Sequence, residues 1–313
     1  MSANGATFKR GLDAEFMTEL EILAKRPSWF ADVLDDPELV LGIRDNYLNV
    51  YWRGCSLFKI ERNGKTLTSS THPKYLIRPE LSKAVAFDGG KFDVNGINPL
   101  TETYEVSETL DRMKRAARVY AGDEKTGVHA VIRNAENNVV DTEVTFDRED
   151  NASQSTQRVD IANFEEGESS TRLLFWEAKL FTNKELWAKG ENDPPVIEQV
   201  TRYRDKLQQH RDEVLQSYRK VAENLVEIGR WNGEIRKPGK LVEEVANGAP
   251  LVLDETPFVG LVVFEFDAAQ RDNDRWRKNR DKLSKKLPLM AAGDPKHLRL
   301  NSARALRSRA AEA

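Results

Sequence analysis

Two apolar segments of this sequence carry charged residues where a core strand would have none. Glu177 and Lys179 lie in RLLFWEAKLF, and Asp160 lies in the preceding segment QRVDIANFE. Burying an unpaired charge costs several kcal/mol, so these charges need a compensating partner or a function. Two close carboxylates favour a divalent cation between them, and Mg²⁺ prefers such oxygen ligands. A lysine beside them could orient a water molecule or stabilise negative charge on a phosphate oxygen.

This chemistry requires the two segments to be neighbouring strands. Residues two apart in a strand point to the same face, so Glu177 and Lys179 share a face and Trp176 lies on the other. The polar turn EGESST between the segments predicts a hairpin, which would bring Asp160 beside Glu177. We therefore expect two carboxylates and one ammonium group to meet at one point of a sheet.

A helix predicted after these strands adds two polar groups. It is expected to run from about Pro195 to Trp231, because proline suits a first helical turn. Gln199 and Tyr203 are four residues apart on one of its faces, where an amide and a phenol could hold the lysine or the water in place. The alternative is that Tyr203 simply continues the apolar stripe of this helix.

The combined pattern resembles the PD-(D/E)XK phosphodiesterases, the nuclease superfamily with the restriction-endonuclease-like fold. The resemblance is carried by residues on three successive predicted elements, namely Asp160, Glu177-Ala178-Lys179, and Gln199 with Tyr203. The last pair looks like the QxxxY element of the RecB-like branch. The resemblance covers roughly residues 139–207 and the later strand near 259, and it departs from the name-giving pattern at Val159, where proline is frequent.

The resemblance implies a restriction-endonuclease-like core and a role for each of these residues. The implied ligands of the metal, Mg²⁺ or Mn²⁺, are Asp160, Glu177, the Ala178 carbonyl and, from an earlier element, Glu143. Lys179 would be the catalytic lysine, assisted by Gln199 and Tyr203. Glu108 is a weaker candidate for the additional acid, because an acid near a helix start is favourable in any case. The implied reaction is phosphodiester hydrolysis, by an endonuclease rather than an exonuclease, serving bacterial defence against foreign DNA or repair.

The distribution of charge also suits a polyanionic partner. Residues 141–168 contain nine acids and two bases, whereas residues 271–313 contain thirteen bases and five acids. An acidic centre and a basic tail can hold a cation and a polyanion together, although two solvated surfaces are the simpler interpretation. The residues that we expect to contact nucleic acid are Lys184, Arg275, Arg277, Lys278, Arg280 and Lys285. DNA is the expected partner, RNA stays open as a substrate, and a homodimer is left open.

The predicted elements indicate an α/β protein with a mixed central β-sheet flanked by helices, preceded by a smaller α+β segment. Two amphipathic helices are predicted at the N-terminus, followed by antiparallel strands with a hairpin at Asn63-Gly64. The glycine-rich stretch 86–103 is a predicted loop and divides an N-terminal segment, 1–95, from a nuclease domain, 96–313. Within that domain, GVHAVIRN and a later segment are predicted as strands, and TPFVGLVVFEFD as a central strand.

Composition excludes several other classes of site. Cys55 is the one cysteine, which rules out an internal disulfide and a cysteine-rich zinc site, and the four histidines show no metal-ligand spacing. We find no apolar run of the roughly 18 residues needed to span a membrane and no apolar signal core at the N-terminus. We therefore expect a cytoplasmic protein with no membrane partner.

Three alternatives stay open at this stage. Glu177 and Lys179 could form a structural ion pair, although a same-face pair within one strand is expected to have poor geometry for one. The same fold could bind nucleic acid without cutting it, although a non-catalytic copy has no need of Asp160, Glu177 and Lys179 together. Finally, the chain could be an interaction protein built on the long helix, whose apolar stripe also suits a coiled coil.

Overall fold

The structure is a computed structural model that describes residues 8–64, 66–76, 85–88, 91–93, 103–146, 158–188, 190 and 192–310. These residues form two compact units. The antiparallel unit contains residues 9–125 and 217–247, and the mixed-sheet unit contains Phe8, residues 126–216 and the described residues from 248 onward. The fold is α/β, as predicted, with one mixed sheet flanked by helices and one antiparallel sheet.

The antiparallel unit begins with the two predicted helices, α1 (Ala14–Ala24) and α2 (Trp29–Asp35). Its sheet has six strands in sequence order: β1 (Val40–Ile43), β2 (Tyr47–Trp52), β3 (Cys55–Asn63), β4 (Thr66–Thr71), β5 (Val85–Asp88) and β6 (Lys91–Phe92). The predicted hairpin joins β3 to β4, and Gly64 has the positive φ of 63° that glycine tolerates best. The prediction of a loop over 86–103 is wrong where β5 and β6 form, and residues 89–90 and 94–102 lie outside the described part.

The antiparallel unit extends beyond the boundary expected near residue 95. It includes α3 (Thr109–Ala117), the part of α6 (Arg211–Trp231) from Ser217, and α7 (Lys240–Ala246). Long-range polar contacts tie these segments in. Lys114 Nζ is 2.8 Å from Asp36 Oδ2, and Asn224 Oδ1 accepts a 2.8 Å hydrogen bond from the Leu12 N–H. Residues 103–125 and 217–247 therefore belong with the N-terminal part of the chain, because partners of these segments lie there.

The mixed-sheet unit is built on β7 (Val139–Thr145), β8 (Arg158–Glu166), β9 (Thr171–Leu180), β10 (Leu251–Val252), β11 (Val259–Phe264) and β12 (Leu289–Ala292). The strand order is β12-β11-β9-β8-β7, with β10 beside the start of β9. The β7-β8-β9 part is antiparallel, whereas β11 pairs in parallel with both β9 and β12. The predicted hairpin and the predicted central strand, which is buried along its whole length, are both confirmed.

Helices of this unit are α4 (Asp123–Ile132) from Thr126 onward, α5 (Pro195–Gln209), the start of α6, α8 (Ala268–Asp272), α9 (Asp274–Lys286) and α10 (Ser302–Ala310). The strand predicted for GVHAVIRN is wrong, since this segment lies in α4. Val128, Val131 and Ile132 have helical spacing and pack on the apolar core. Gly127 lies so close to Phe264 that a Cβ atom there would be 2.1 Å from the ring.

The long helix expected from Pro195 to Trp231 is two helices, because His210 leaves helical geometry with φ −110° and ψ 26°. The guanidinium group of Arg211, the first residue of α6, donates hydrogen bonds to the carbonyl oxygens of Leu253 and Asp254. The apolar stripe of α5, Val196, Val200, Tyr203 and Leu207, is buried within the mixed-sheet unit. It therefore offers no exposed seam to a coiled-coil partner.

The two faces of β9 differ in chemistry, as the alternation of its residues predicts. Leu174, Trp176 and Ala178 enter an apolar cluster with Ile161 and Val262. The indole N–H of Trp176 donates to Asn163 Oδ1 at 2.8 Å, so even its polar atom is satisfied there. This apolar anchoring fixes β9 and leaves Glu177 and Lys179 on the opposite face.

Candidate active site

The pairing between β8 and β9 stops where Asp160 lies. The last main-chain pair at this end of the ladder joins Ile161 to Trp176. Beyond it, the Ala178 N–H donates to Asp160 Oδ2 at 2.8 Å. The carboxylate of Asp160 therefore takes the place of a main-chain acceptor and lies level with Glu177 across the two strands.

Glu177 and Lys179 form an ion pair within β9. Lys179 Nζ is 2.8 Å from Glu177 Oε1, and the two side chains are only 8% and 2% exposed. Nζ is also 2.6 Å from Oε2 of Glu185, whose side chain is half exposed. The expectation of poor geometry for this pair is wrong, because the long lysine side chain reaches back along the strand and a second acid completes its surroundings.

Electrostatics assign different protonation tendencies to the neighbouring groups. Burial raises the pKa of Asp160 well above its usual range, and the charges of Glu177 and Glu143 raise it further against the opposing effect of the Ala178 N–H and Lys179. Burial by itself would lower the pKa of Lys179, but Glu177 and Glu185 outweigh it and raise that pKa. Lys179 therefore keeps its proton at neutral pH. The ionised form of Asp160 is destabilised, and binding a proton or a cation would relieve this.

Gln199 and Tyr203 of α5 form a chain of hydrogen bonds that ends on β8. Gln199 Nε2 donates to Tyr203 Oη at 2.8 Å, and Tyr203 Oη donates to the Arg158 carbonyl at 2.6 Å. Burial, followed by the charge of Glu177, raises the pKa of Tyr203, so the phenol stays protonated. Gln199 Oε1 is buried and accepts no hydrogen bond from the described residues. It therefore remains as an acceptor for a water molecule or a ligand group.

The structure does not assemble all the predicted metal ligands into one group. Glu143 lies on β7 between the pairs that join Thr142 to Ile161 and Val144 to Val159, level with Asp160. Its Oε2 is 2.9 Å from Arg158 Nη1, so this carboxylate is already paired with a guanidinium group. Among the described residues, no three His, Cys, Asp or Glu side chains are arranged to hold a metal. Asp160 and Glu177 lie level with each other on neighbouring strands, and the carboxylate of Glu143 is paired with Arg158.

The residues predicted to contact nucleic acid do not share one surface. Lys184 is exposed on the turn that carries Glu185. On α9, which buries Trp276, Asn279 and Leu283, the cations divide by helical angle. Lys278 and Lys285 point away from the buried side, Arg275 lies 4.9 Å above the ring of Trp187, and Arg277 and Arg280 lie on the other flank.

Glu185 is a residue of this site that the sequence did not indicate. It follows Lys179 by six positions in a polar connection, with no periodic pattern to mark it. Its position is held by neighbours: Asn183 caps the turn by accepting from the Glu185 N–H, and Asn279 of α9 donates to the Leu186 carbonyl at 2.7 Å. Only these tertiary contacts bring the acid to Lys179.

Within the described residues, none of the helices has both the length and the apolar character needed to cross a membrane. Searches of family models, of curated proteins and of solved structures found no match to this chain.

Proposed function

We propose that this protein is a metal-dependent nuclease of the PD-(D/E)XK type, with a restriction-endonuclease-like core. The observation that carries the proposal is the meeting of Asp160, Glu177 and Lys179 at the open end of the β8–β9 ladder. The mixed sheet flanked by helices supports the same interpretation. DNA is the preferred substrate of this proposal, and a role in defence or repair follows from analogy alone.

The residues present fit a hard divalent cation. Burial, followed by the charge of Glu177, raises the pKa of Asp160, and a cation between the two carboxylates would offset both effects. The Ala178 carbonyl is a third oxygen on the strand edge where the ladder has ended. Mg²⁺ commonly binds through one or two carboxylates together with waters and substrate phosphates, so a third acid is not required. When bound, such an ion supplies Lewis-acid polarisation and a more acidic water.

The remaining side chains have roles that do not depend on the ion. The raised pKa of Lys179 keeps its ammonium group protonated, so it would not act as the base that deprotonates the water. It would instead stabilise negative charge on the phosphate and orient the attacking water. Gln199 Oε1 would accept a hydrogen bond from that water or from Lys179. Tyr203 holds Gln199 and anchors it to β8, so it acts as a positioning residue.

The test is cleavage by the full chain of labelled single- and double-stranded DNA and RNA, with Mg²⁺, with Mn²⁺ or with EDTA. A covalently closed circular DNA is included, because only an endonuclease can cut it. We expect metal-dependent cleavage that falls by about a hundredfold or more in Glu177→Gln and in Lys179→Met. Glu198→Gln on the exposed face of α5 is the matched control and should cleave like the wild type.

Metal binding is measured separately by the loss of the free Mn²⁺ signal in electron paramagnetic resonance. Asp160→Asn should weaken Mn²⁺ binding while the protein stays folded. A wild-type protein that binds no Mn²⁺ and cuts none of the substrates would refute the proposal.

A second candidate is favoured by the ion pairs of Lys179. The ammonium group of Lys179 is paired with two acids, Glu177 and Glu185, which also suits a structural role in a protein that binds nucleic acid without cutting it. Binding that persists with every metal while no substrate is cut would support this candidate. The third alternative, an interaction protein built on a long helix, is weakened by the break at His210 and by the burial of the α5 stripe.

A further inference from the structure

A concavity of the mixed-sheet unit lies at the edge of the sheet, and its lining includes neither Glu177 nor Lys179. Strand β12, the edge strand, contributes all four of its residues, Leu289–Ala292, to the lining. Arg280 of α9 lines one side, and His297, Arg299 and Arg304 line the other. The lining contains three guanidinium groups and an imidazole but no acid, and its volume is about 190 Å³.

Two arginines of this edge pocket, Arg299 and Arg304, differ in whether their guanidinium groups are paired with an acid. Arg299 is fixed by Glu136, whose Oε2 is 2.5 Å from Nε, and Arg299 Nη1 donates to the Lys296 carbonyl at 3.3 Å. Arg304 is exposed on α10 and forms no ion pair with any residue that the structure describes. An anion in the concavity would lie close to the guanidinium group of Arg304, which has no acidic partner among the described residues, and near those of Arg280 and Arg299, and this attraction would lower its energy there.

We propose that this edge pocket binds a phosphate group of a nucleic acid. Arginine forks match the oxygen geometry of phosphate and can donate two hydrogen bonds each. The volume is below the roughly 300–1,000 Å³ of ordinary small-molecule sites, which fits a phosphate with part of its sugar better than a whole cofactor. The apolar side chains of β12 offer a surface for that sugar.

The edge pocket is in register with the candidate active site. Lys179 pairs with Val263 of β11, and Val263 pairs with Ala291 of β12. The backbones of β9 and β12 are therefore two strand spacings apart, about 10 Å. A strand cut near Lys179 could place a phosphate in the edge pocket, and to this extent the inference rests on the proposed function.

The experiment measures binding without cleavage. The full chain in EDTA, at one fixed salt concentration because phosphate contacts are salt-dependent, is titrated into fluorescent single-stranded DNA with and without a 5′ phosphate. We expect Arg280→Ala and Arg304→Ala to bind about tenfold more weakly or worse, because a hydrogen bond to a charged group contributes at least that factor. Arg307→Ala is the matched control: it removes the same charge from α10 but does not line the pocket.

The competitors identify the ligand. Inorganic phosphate should displace DNA from the wild type, and Arg304→Lys, which keeps the charge but loses the fork, should bind more weakly than wild type. A preference for 5′-phosphorylated DNA that disappears in Arg304→Ala assigns the pocket to a terminal phosphate, and equal binding of both oligonucleotides with the same dependence on Arg304 assigns it to an internal one.

Two results would overturn the inference: Arg280→Ala and Arg304→Ala binding no worse than Arg307→Ala, or displacement by polyglutamate but not by phosphate, which would indicate an acidic protein partner. Pocket-dependent binding without any metal-dependent cleavage would instead defeat the proposed nuclease and leave the edge pocket standing.

Discussion

Replacing Lys179 by methionine tests how the protein tolerates charge in its core. The substitution keeps the length of the side chain and removes the ammonium group that lies 2.8 Å from Glu177 Oε1. Glu177 is almost fully buried, and Asp160 lies level with it on the next strand. Removing one partner of a buried pair leaves an uncompensated charge, so we expect a loss of about 3–5 kcal/mol in the free energy of unfolding at pH 8.

The loss should depend on pH through Asp160. The pKa of Asp160 is already raised above its value in an unfolded chain, and Lys179 is one of the groups that hold it down. Without Lys179 this pKa rises further, so the folded variant binds a proton that the unfolded chain releases. Stability therefore falls as the pH rises from about 3.9 through the folded pKa, by up to about 1.4 kcal/mol per pH unit. The deficit of Lys179→Met should be smallest in acid and largest above that window.

Urea unfolding at several pH values, followed by hydrogen exchange of peptides from residues 158–180, measures the unit that carries the site. Lys286→Met is the matched control, because its partner Asp193 and Lys286 itself are each about half exposed and such pairs contribute only about 0–1 kcal/mol. Lys179→Met with wild-type stability at pH 8 would show that the buried pair contributes nothing, and the electrostatic reasoning would fail.

Four further outcomes are expected. At a concentration 100 times its Kd, Mg²⁺ should stabilise the wild type by about 2.7 kcal/mol, and a calorimetric scan of Asp160→Asn should show no such shift. Without metal, Asp160→Asn should be more stable than the wild type by about 1 kcal/mol at pH 8. Below about pH 3.9 the two proteins should be equally stable, because the aspartate is then protonated and neutral like the asparagine. A lower stability of the variant at pH 8 would contradict the raised pKa of Asp160. Tyr203→Phe should cost about 1–3 kcal/mol in urea unfolding and slow cleavage, because the Arg158 carbonyl and the Gln199 amide lose their partner; an unchanged protein would remove Tyr203 from the site. Gly260→Ala should cost about 1–3 kcal/mol, since its Cβ would lie 2.5 Å from the Trp176 ring, whereas Gly122→Ala, with open space around it, should change stability by less than about 0.5 kcal/mol.

Much of the candidate site could be predicted because its information is local. The alternation in RLLFWEAKLF assigns Trp176 to one face and Glu177 with Lys179 to the other, and a short polar turn pairs this strand with that of Asp160. The spacing of Gln199 and Tyr203 likewise follows from helical geometry, and their hydrogen bond is present. Such periodic patterns depend on neighbours within a few residues and can be interpreted without knowing the fold.

Other features could not be predicted because distant segments decide them. The segment around Gly127 has strand-like composition, but packing against Phe264 accompanies its helical form. The break at His210 is accompanied by the contacts of Arg211 with carbonyls more than forty residues away. The cations of α9 look like one basic surface in the sequence, yet the burial of Trp276 and Leu283 turns them to different sides.

The residues that could do chemistry, and the face of the strand or helix on which each lies, follow from the amino-acid sequence, since side-chain periodicity is a local property of the backbone. The neighbours of these residues depend instead on the tertiary fold. It brought Glu185 to Lys179, drew Glu143 to Arg158, and collected Arg280 and Arg304 around one pocket. These pairings join residues whose approach depends on how strands and helices pack, and charge interactions act on that distance rather than on separation along the chain.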